Sequence, residues 1–244
     1  MATGNRVTEA LMRLDLQGED LPQIKSELKD YHPGVKTTHR VEAMARGLGY
    51  KTYASLLAAL EHGAQSIETN DAAFNQALSL LSGQSIDGRT LSRSLARVAV
   101  RRAQAVEPSL TERGFDSAMP TTSDERRMSF AERRQAFEAR RAETLKHWAM
   151  DQFELALLYL DMQERRRTIN RDYTSYNLKH RAEDLSRNQK LHTHLGNYVS
   201  NGMLIAAAIT RGFEYKQVSY DSLNAYFNIS SKTIHATWPE RNAA

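Results

Sequence analysis

The stretch Ser222–Trp238, "SLNAYFNISSKTIHATW", carries two patterns at once. In one, it is the turn and recognition helix of a helix-turn-helix. Asn228 takes the left-handed turn position and Ser230 or Ser231 caps the helix that follows. In the other, Leu223, Ala225, Phe227 and Ile229 alternate along a strand, and Tyr, Phe and Ile favour that state. Asn224 stands where a helix-turn-helix wants a small apolar residue, and it would bury a polar side chain between the helices. Pro239 leaves little room for a recognition helix. The strand is the favoured reading. "FEYKQVSY" upstream supplies the other arm of a hairpin around Asp221-Ser222, and "SSKTIHATW" becomes a short terminal turn or helix.

Working outward, most of the remaining chain has helical spacing. "VTEALMRL" and "LPQIKSELKDY" are amphipathic, and "HPG" stops the second. Val41, Met44, Ala45 and Leu48 share one face, and Gly49 suits the helix end. Thr52 is a cap for a helix with the face Leu56, Leu57 and Leu60. "DAAFNQALSLLSG" has Asp71 as cap and Gly83 as stop, and "GRTLSRSLARVAVRRAQAV" ends before Pro108. Residues 107–124 collect Pro, Gly, Ser and Thr and read as a linker. A long helix capped by Ser123 or Asp124 then runs to about Arg167. Its first half is charged, and its second half has the apolar stripe Trp148, Leu155, Tyr159 and Met162. "TSYNLKHRAEDL" is a short helix capped by Thr174 or Ser175, and "SNGMLIAAAITRGF" is a buried helix flanked by Gly202 and Gly212.

The expected fold is mainly α: a helical bundle over 1–106, a linker over 107–124, the long charged helix plus a short one over 125–190, and a small α+β module with a β-hairpin over 191–244.

Composition narrows the function. The chain has 244 residues, 41% hydrophobic and 25% charged, which allows a sizeable core. There is no cysteine, so disulfides, thiolate metal sites and a cysteine nucleophile are excluded. "MATGNRVTEALMRLD" has no apolar run of the signal-peptide kind, and "MLIAAAI" falls far short of the roughly 20 residues a bilayer span needs. The expectation is a cytoplasmic protein with no membrane partner. The net charge of +4, from 33 Lys and Arg against 29 Asp and Glu, is mild, so its distribution matters more.

That distribution has two concentrations. Arg89, Arg93, Arg97 and Arg101 recur every four residues and make one helical stripe, with Arg102 adjacent. Leu91, Leu95 and Val98 face the core. Guanidinium groups in a row suit phosphates, each giving a bidentate contact. The competing reading is a face paired with acids from another helix. In "RRRTINRDYTSYNLKHR", Arg165, Arg166, Arg167, Arg171, Lys179 and Arg181 surround Tyr173 and Tyr176. Cations interleaved with aromatics bind single strands by holding phosphates and stacking bases. The competing reading is a helix C-terminus with arginines offsetting its dipole and tyrosines in the core.

No catalytic constellation stands out. Phosphate-binding glycine loops, zinc-helix motifs and nucleophile elbows are absent from the sequence. His192 and His194 sit two apart without a third ligand, so no metal site is assigned. Asp151, Glu154 and Asp161 have no neighbour that would make an acid/base pair. No cofactor is expected.

Two segments resemble known modules. "LPQIKSELKDYHPGVKTTHRVEAMARGLGYKTYASLLAAL", Leu21–Leu60, resembles a helical module near the N-termini of bacterial proteins, some labelled glyoxalase superfamily. The residues that carry it are His39 to Tyr50 and "TYASLLAAL". A glyoxalase site needs His and Glu on paired sheets, which this sequence does not offer, so no catalytic residue is carried over. "TINRDYTSYNLKH", "YVSNGMLIAAAITRGF" and "LNAYFNIS" resemble a module of uncharacterised proteobacterial proteins on plasmids or integrated elements. That likeness implies a bacterial, mobile-element setting.

The leading functional expectation is a non-enzymatic accessory protein that binds DNA or RNA through its arginine rows, within a larger nucleoprotein complex. One alternative is a protein–protein module, or self-association, through the long helix "ERRQAFEARRAETLKH" with its mixed charges. Another is a helical nuclease. Arg141 and His147 resemble the Arg–His pair of HEPN-type ribonucleases, at a spacing that is not the usual one.

Overall fold

Leu14 and Leu16 alternate with Arg13 and Asp15, a period of two, and this end of "VTEALMRL" is a strand rather than a helix. The computed structural model describes residues 12–116, 123–189 and 193–237, so the earlier part of that expected helix lies outside the described residues. The same holds for His192, Trp238 and Pro239. The chain divides into two compact units, with the boundary between Ser92 and Arg93.

In the first unit, β1 (Arg13–Leu16) pairs antiparallel with β2 (Gln65–Glu68), Leu14 opposite Ile67. Arg13 and Glu68, paired on the outer face, form an ion pair. Between the strands run α1 (Leu21–Tyr31), α2 (Thr37–Gly47) and α3 (Tyr53–Glu61), and α4 (Asp71–Ser82) follows. Ile24 and Leu28 of α1, Met44 and Ala45 of α2, Leu56 of α3, and Phe74 and Leu78 of α4 make the core. Leu57, expected on the buried face of α3, is exposed. Thr52 caps α3, accepting from the Ser55 amide at 3.1 Å.

Asp71 has a different role from the one its position indicates. Asn70 caps α4 by accepting from the Ala73 amide at 2.9 Å. The Asp71 carboxylate instead accepts from the amides of Leu91 and Ser92 at 2.8 and 3.2 Å. It thereby satisfies orphan donors at the start of α5 (Thr90–Val106), twenty residues on.

In the second unit, part of the stretch read as a linker is ordered. β3 (Leu110–Thr111) and β4 (Gly114–Phe115) form a buried hairpin. The single long helix expected from Ser123 is three helices: α6 (Ser123–Arg127), α7 (Phe130–Glu143) and α8 (His147–Asp161). The local reason is "SFAE", 129–132. The Ser129 hydroxyl accepts from the Glu132 amide at 3.3 Å while Glu132 accepts from the Ser129 amide at 2.7 Å, a capping box that starts a new helix. α7 has no buried residue, whereas α8 buries Phe153, Leu155, Leu157, Tyr159 and Leu160. Trp148 and Met162, expected in the apolar stripe, are both exposed, at 40% and 44%.

The chain then turns into β5 (Arg165–Thr174), a ten-residue strand where the sequence indicated a helix end. α9 (Ser175–Gln189) and α10 (Asn201–Thr210) follow, then β6 (Tyr215–Gln217), β7 (Ala225–Ile229) and α11 (Ser231–Ala236). The hairpin reading of the opening stretch is correct. β6 and β7 pair antiparallel with Tyr215 opposite Phe227, and α11 is short. Asn228 is no turn residue: it is buried in β7, and its side-chain oxygen accepts from the Glu214 amide at 2.9 Å. β7 is the middle strand, with β5 and β6 on its flanks. α10 is apolar all round and packs on α8. The protein is mainly α with small antiparallel sheets. Among the described residues no helix is long and apolar enough to cross a membrane.

Candidate nucleic-acid interface

The first arginine group is held within the fold. Arg89 precedes α5, so it is not part of the helical stripe. Arg93 is half-buried and forms a bidentate pair with Asp151 of α8, Nε to Oδ1 at 3.1 Å and Nη2 to Oδ2 at 2.8 Å. The Arg97 Nε donates to the Leu145 carbonyl at 2.8 Å, satisfying a backbone acceptor between α7 and α8. Arg101 and Arg102 are half-buried and also engaged by other groups of the chain. The spacing correctly shows a stripe, but at Arg93 and Arg97 the stripe faces protein. Arg93 alone shows the pairing with an acid of another helix, and Arg97 meets a backbone carbonyl instead.

The second group is split by the structure. Arg165, Arg166, Arg167 and Arg171 all stand exposed on β5, on the flank of its sheet. The Arg165 guanidinium donates to the Arg211 carbonyl and lies 5.4 Å from the Phe213 ring. Arg166 donates to the Thr168 hydroxyl at 3.0 Å. For Arg167 and Arg171 the structure shows no ion pair or side-chain hydrogen bond among the described residues. β5 is bulged on both sides of Asn170, whose side-chain amide donates to the Ile229 carbonyl at 3.0 Å. Bulges and arginines both discourage a second sheet from pairing with this edge.

Lys179 and Arg181 belong to α9 rather than to β5. Lys179 is buried, its Nζ 3.2 Å from Glu183 Oε1 and 5.1 Å from the rings of both Tyr176 and Tyr198. The two tyrosines are about half exposed, at 52% and 54%, one at the end of α9 nearest β5 and the other in the segment before α10, and the Tyr176 ring also meets His180, centroids 4.7 Å apart. Tyr198 has no charged neighbour in sequence and carries no signal that would have marked it. Arg181 is half-buried, with its guanidinium carbon 5.0 Å from the Tyr173 ring. The Tyr173 hydroxyl is 3.2 Å from His235 Nε2.

Glu183 anchors this region. Burial pushes its carboxyl up, but hydrogen bonds from the Val199 amide, His180 and Lys179 outweigh it and hold the pKa below the ordinary value of 4.5. A folded-state pKa below the unfolded one stabilises the protein fully above the unfolded value, and this is lost as pH falls through the folded pKa. Glu183→Gln is therefore expected to lower the urea midpoint at neutral pH and to flatten its decline at acid pH. An acid limb as steep as the parent's would contradict this role.

The Arg–His pair that resembles HEPN ribonucleases falls on either side of the α7–α8 junction. Arg141 Nη1 donates to the Pro108 carbonyl at 2.8 Å, while His147 starts the next helix and is exposed. His194 is exposed, and among the described residues no group of three metal-ligating side chains occurs. No family model, no curated protein and no solved structure matches this chain.

Proposed function

We propose that the chain binds single-stranded DNA or RNA along β5, as a non-enzymatic accessory protein in a bacterial, mobile-element setting. The observation that supports this is the exposed run of Arg166, Arg167 and Arg171 on a flanking strand, with Tyr176 exposed just beyond it. Guanidinium groups hold successive phosphates there, and the tyrosine face stacks a base. The test is fluorescence anisotropy with labelled single- and double-stranded oligonucleotides over a salt series. Three phosphate contacts on a single strand predict roughly a twentyfold loss of affinity between 50 and 200 mM salt. Absence of binding at low salt, or affinity indifferent to salt, would end the reading.

The first arginine group behaves differently in this proposal. Arg93→Ala with Arg97→Ala is expected to cost about 2–4 kcal/mol of stability, because the Asp151 carboxylate and the Leu145 carbonyl lose their donors. Oligonucleotide affinity is expected to stay within about twofold of the parent, since neither side chain reaches the strand. Urea denaturation and the anisotropy titration check the two halves separately.

A second reading rests on α7. None of its fourteen residues is buried and Phe130 is 62% exposed, which suits a helix that docks on another protein. Arg140, salt-bridged to Asp116 at 2.6 Å, holds it to its own unit. In that case Phe130→Ala releases a co-purifying protein and leaves oligonucleotide binding unchanged.

A further inference from the structure

Tyr198 lies in the irregular segment before α10, and three hydrogen bonds fix the backbone around it. The Gly196 carbonyl accepts from the Ser186 hydroxyl at 2.8 Å. The Val199 amide donates to the Glu183 carboxylate at 3.1 Å, and the Ser200 amide to the Gln152 side chain at 2.8 Å. The first two partners belong to α9 and the third to α8. Val199 and Ser200 are buried, whereas Tyr198 between them and Gly196 is more than half exposed. A segment tied at so many points to packed helices holds its one large exposed side chain in a fixed place.

That side chain rests on a cation. Lys179 Nζ lies over the Tyr198 ring and over the Tyr176 ring, 5.1 Å from each centroid. The two centroids are thus no farther apart than twice that distance. Lys179 is itself buried and paired with Glu183, the carboxylate that also holds the Val199 amide. One buried ion pair therefore sets the position of two tyrosines that are twenty-two residues apart in the sequence. Tyr198 meets no other ring among the described residues. With the ammonium over one face, the accessible part of the side chain is its far side and hydroxyl rim.

We propose that Tyr198 is a second stacking platform for a base of the bound single strand, an inference that rests on β5 as the strand-binding surface. The strand leaves β5, passes Tyr176 at the start of α9 and reaches the segment before α10. The spacing of the two rings suits bases no more than a few nucleotides apart. A ring held in place beforehand loses little freedom on binding, so its stacking contributes to affinity nearly in full. Burial, followed by the carboxylates of Glu112 and Glu183, raises the Tyr198 phenol above its ordinary pKa. The ring is therefore neutral, and carboxylates nearby make this a position for a base rather than a phosphate. The platform adds affinity and leaves the salt dependence to the arginines.

The test is fluorescence anisotropy at low salt with two labelled strands of equal length. One is oligothymidylate, and the other is its abasic counterpart, which keeps the phosphates and lacks the bases. Tyr198→Ala is expected to weaken oligothymidylate binding at least about fivefold, without changing the salt slope. Its affinity for the abasic strand is expected to stay within about twofold of the parent's. Tyr198→Leu keeps bulk against Lys179 and is expected to show the same loss, which covers the case in which the alanine variant folds poorly. Tyr198→Phe keeps the ring and is expected to bind like the parent.

Oligothymidylate bound by Tyr198→Leu as tightly as by the parent overturns the platform and leaves the β5 surface standing. An equal loss on both strands overturns it as well, since a base contact cannot act on a strand without bases. Arg166→Gln, Arg167→Gln and Arg171→Gln together are expected to weaken both strands and flatten the salt slope. If they do neither while Tyr198→Leu still loses only the base-bearing strand, the stacking contact stands and the β5 surface falls. A parent that binds neither strand overturns both.

Discussion

Reversing Arg166, Arg167 and Arg171 together to glutamate is expected to weaken single-stranded oligonucleotide binding at least about a hundredfold at low salt. The three side chains are exposed on β5, and two of them make no ion pair or side-chain hydrogen bond among the described residues. Reversal therefore removes phosphate contacts without breaking a buried interaction. Each contact on a single strand contributes about 0.7 to the slope of log affinity against log salt, so the slope is expected to flatten by about 2. The melting temperature is expected to change little, since exposed substitutions usually stay within about 0.5 kcal/mol. If the triple variant keeps the parent's affinity and salt slope, β5 is not the binding surface. Tyr176→Ala is the companion change, and loss of one stacked base predicts a further weakening by about 1–3 kcal/mol.

Gly202→Ala is expected to destabilise the second unit by at least about 3 kcal/mol, a large part of the 5–15 kcal/mol typical of whole domains. Gly202 lies in the first turn of α10, and its amide donates to the Glu112 carbonyl at 2.9 Å. A Cβ there would sit 1.8 Å from the Thr111 carbonyl oxygen and 2.8 Å from that of Glu112. Both are backbone atoms of the β3–β4 hairpin, so no side chain can turn aside. Relief requires lifting α10 off the hairpin, which also strains the bonds from the Asn201 side-chain amide to the carbonyls of Arg113 and Leu223, at 2.9 and 2.8 Å. A urea midpoint within experimental error of the parent's would show that the two elements separate without cost. Gly114, with φ of 119° and the Leu223 carbonyl 2.0 Å from its would-be Cβ, marks a second close approach, of the same hairpin to the segment before β7.

Neither glycine announces itself in the sequence. Gly202 reads there as a helix flank, and Gly114 as a residue of a linker. A close backbone approach between segments ninety or more residues apart has no local signature. The breaks in the long charged helix are a different kind of case. The Ser129–Glu132 capping box is a local signal, set within helix-forming Glu and Arg that continue the helical pattern on both sides. β1 and β2 were hidden by their length, since four residues are too few to separate a period of two from a helical one.

The arginine rows show the same limit at the candidate site. Spacing places Arg93 and Arg97 on one face of a helix, but not which neighbour that face meets. Asp151 is fifty-eight residues away, and only the packing of α5 on α8 turns a possible phosphate contact into an internal ion pair. Tyr173 and Arg181 are visible as a basic–aromatic cluster. Tyr159 reads as core and His235 as part of a terminal turn. The sequence by itself determined the mainly helical class, the Thr52 cap and the β6–β7 hairpin, because periodicity, caps and turns act over a few neighbouring residues. Tertiary structure alone decided which arginines face solvent and which are paired inside the fold, because burial and charge pairing depend on residues the chain brings together from afar.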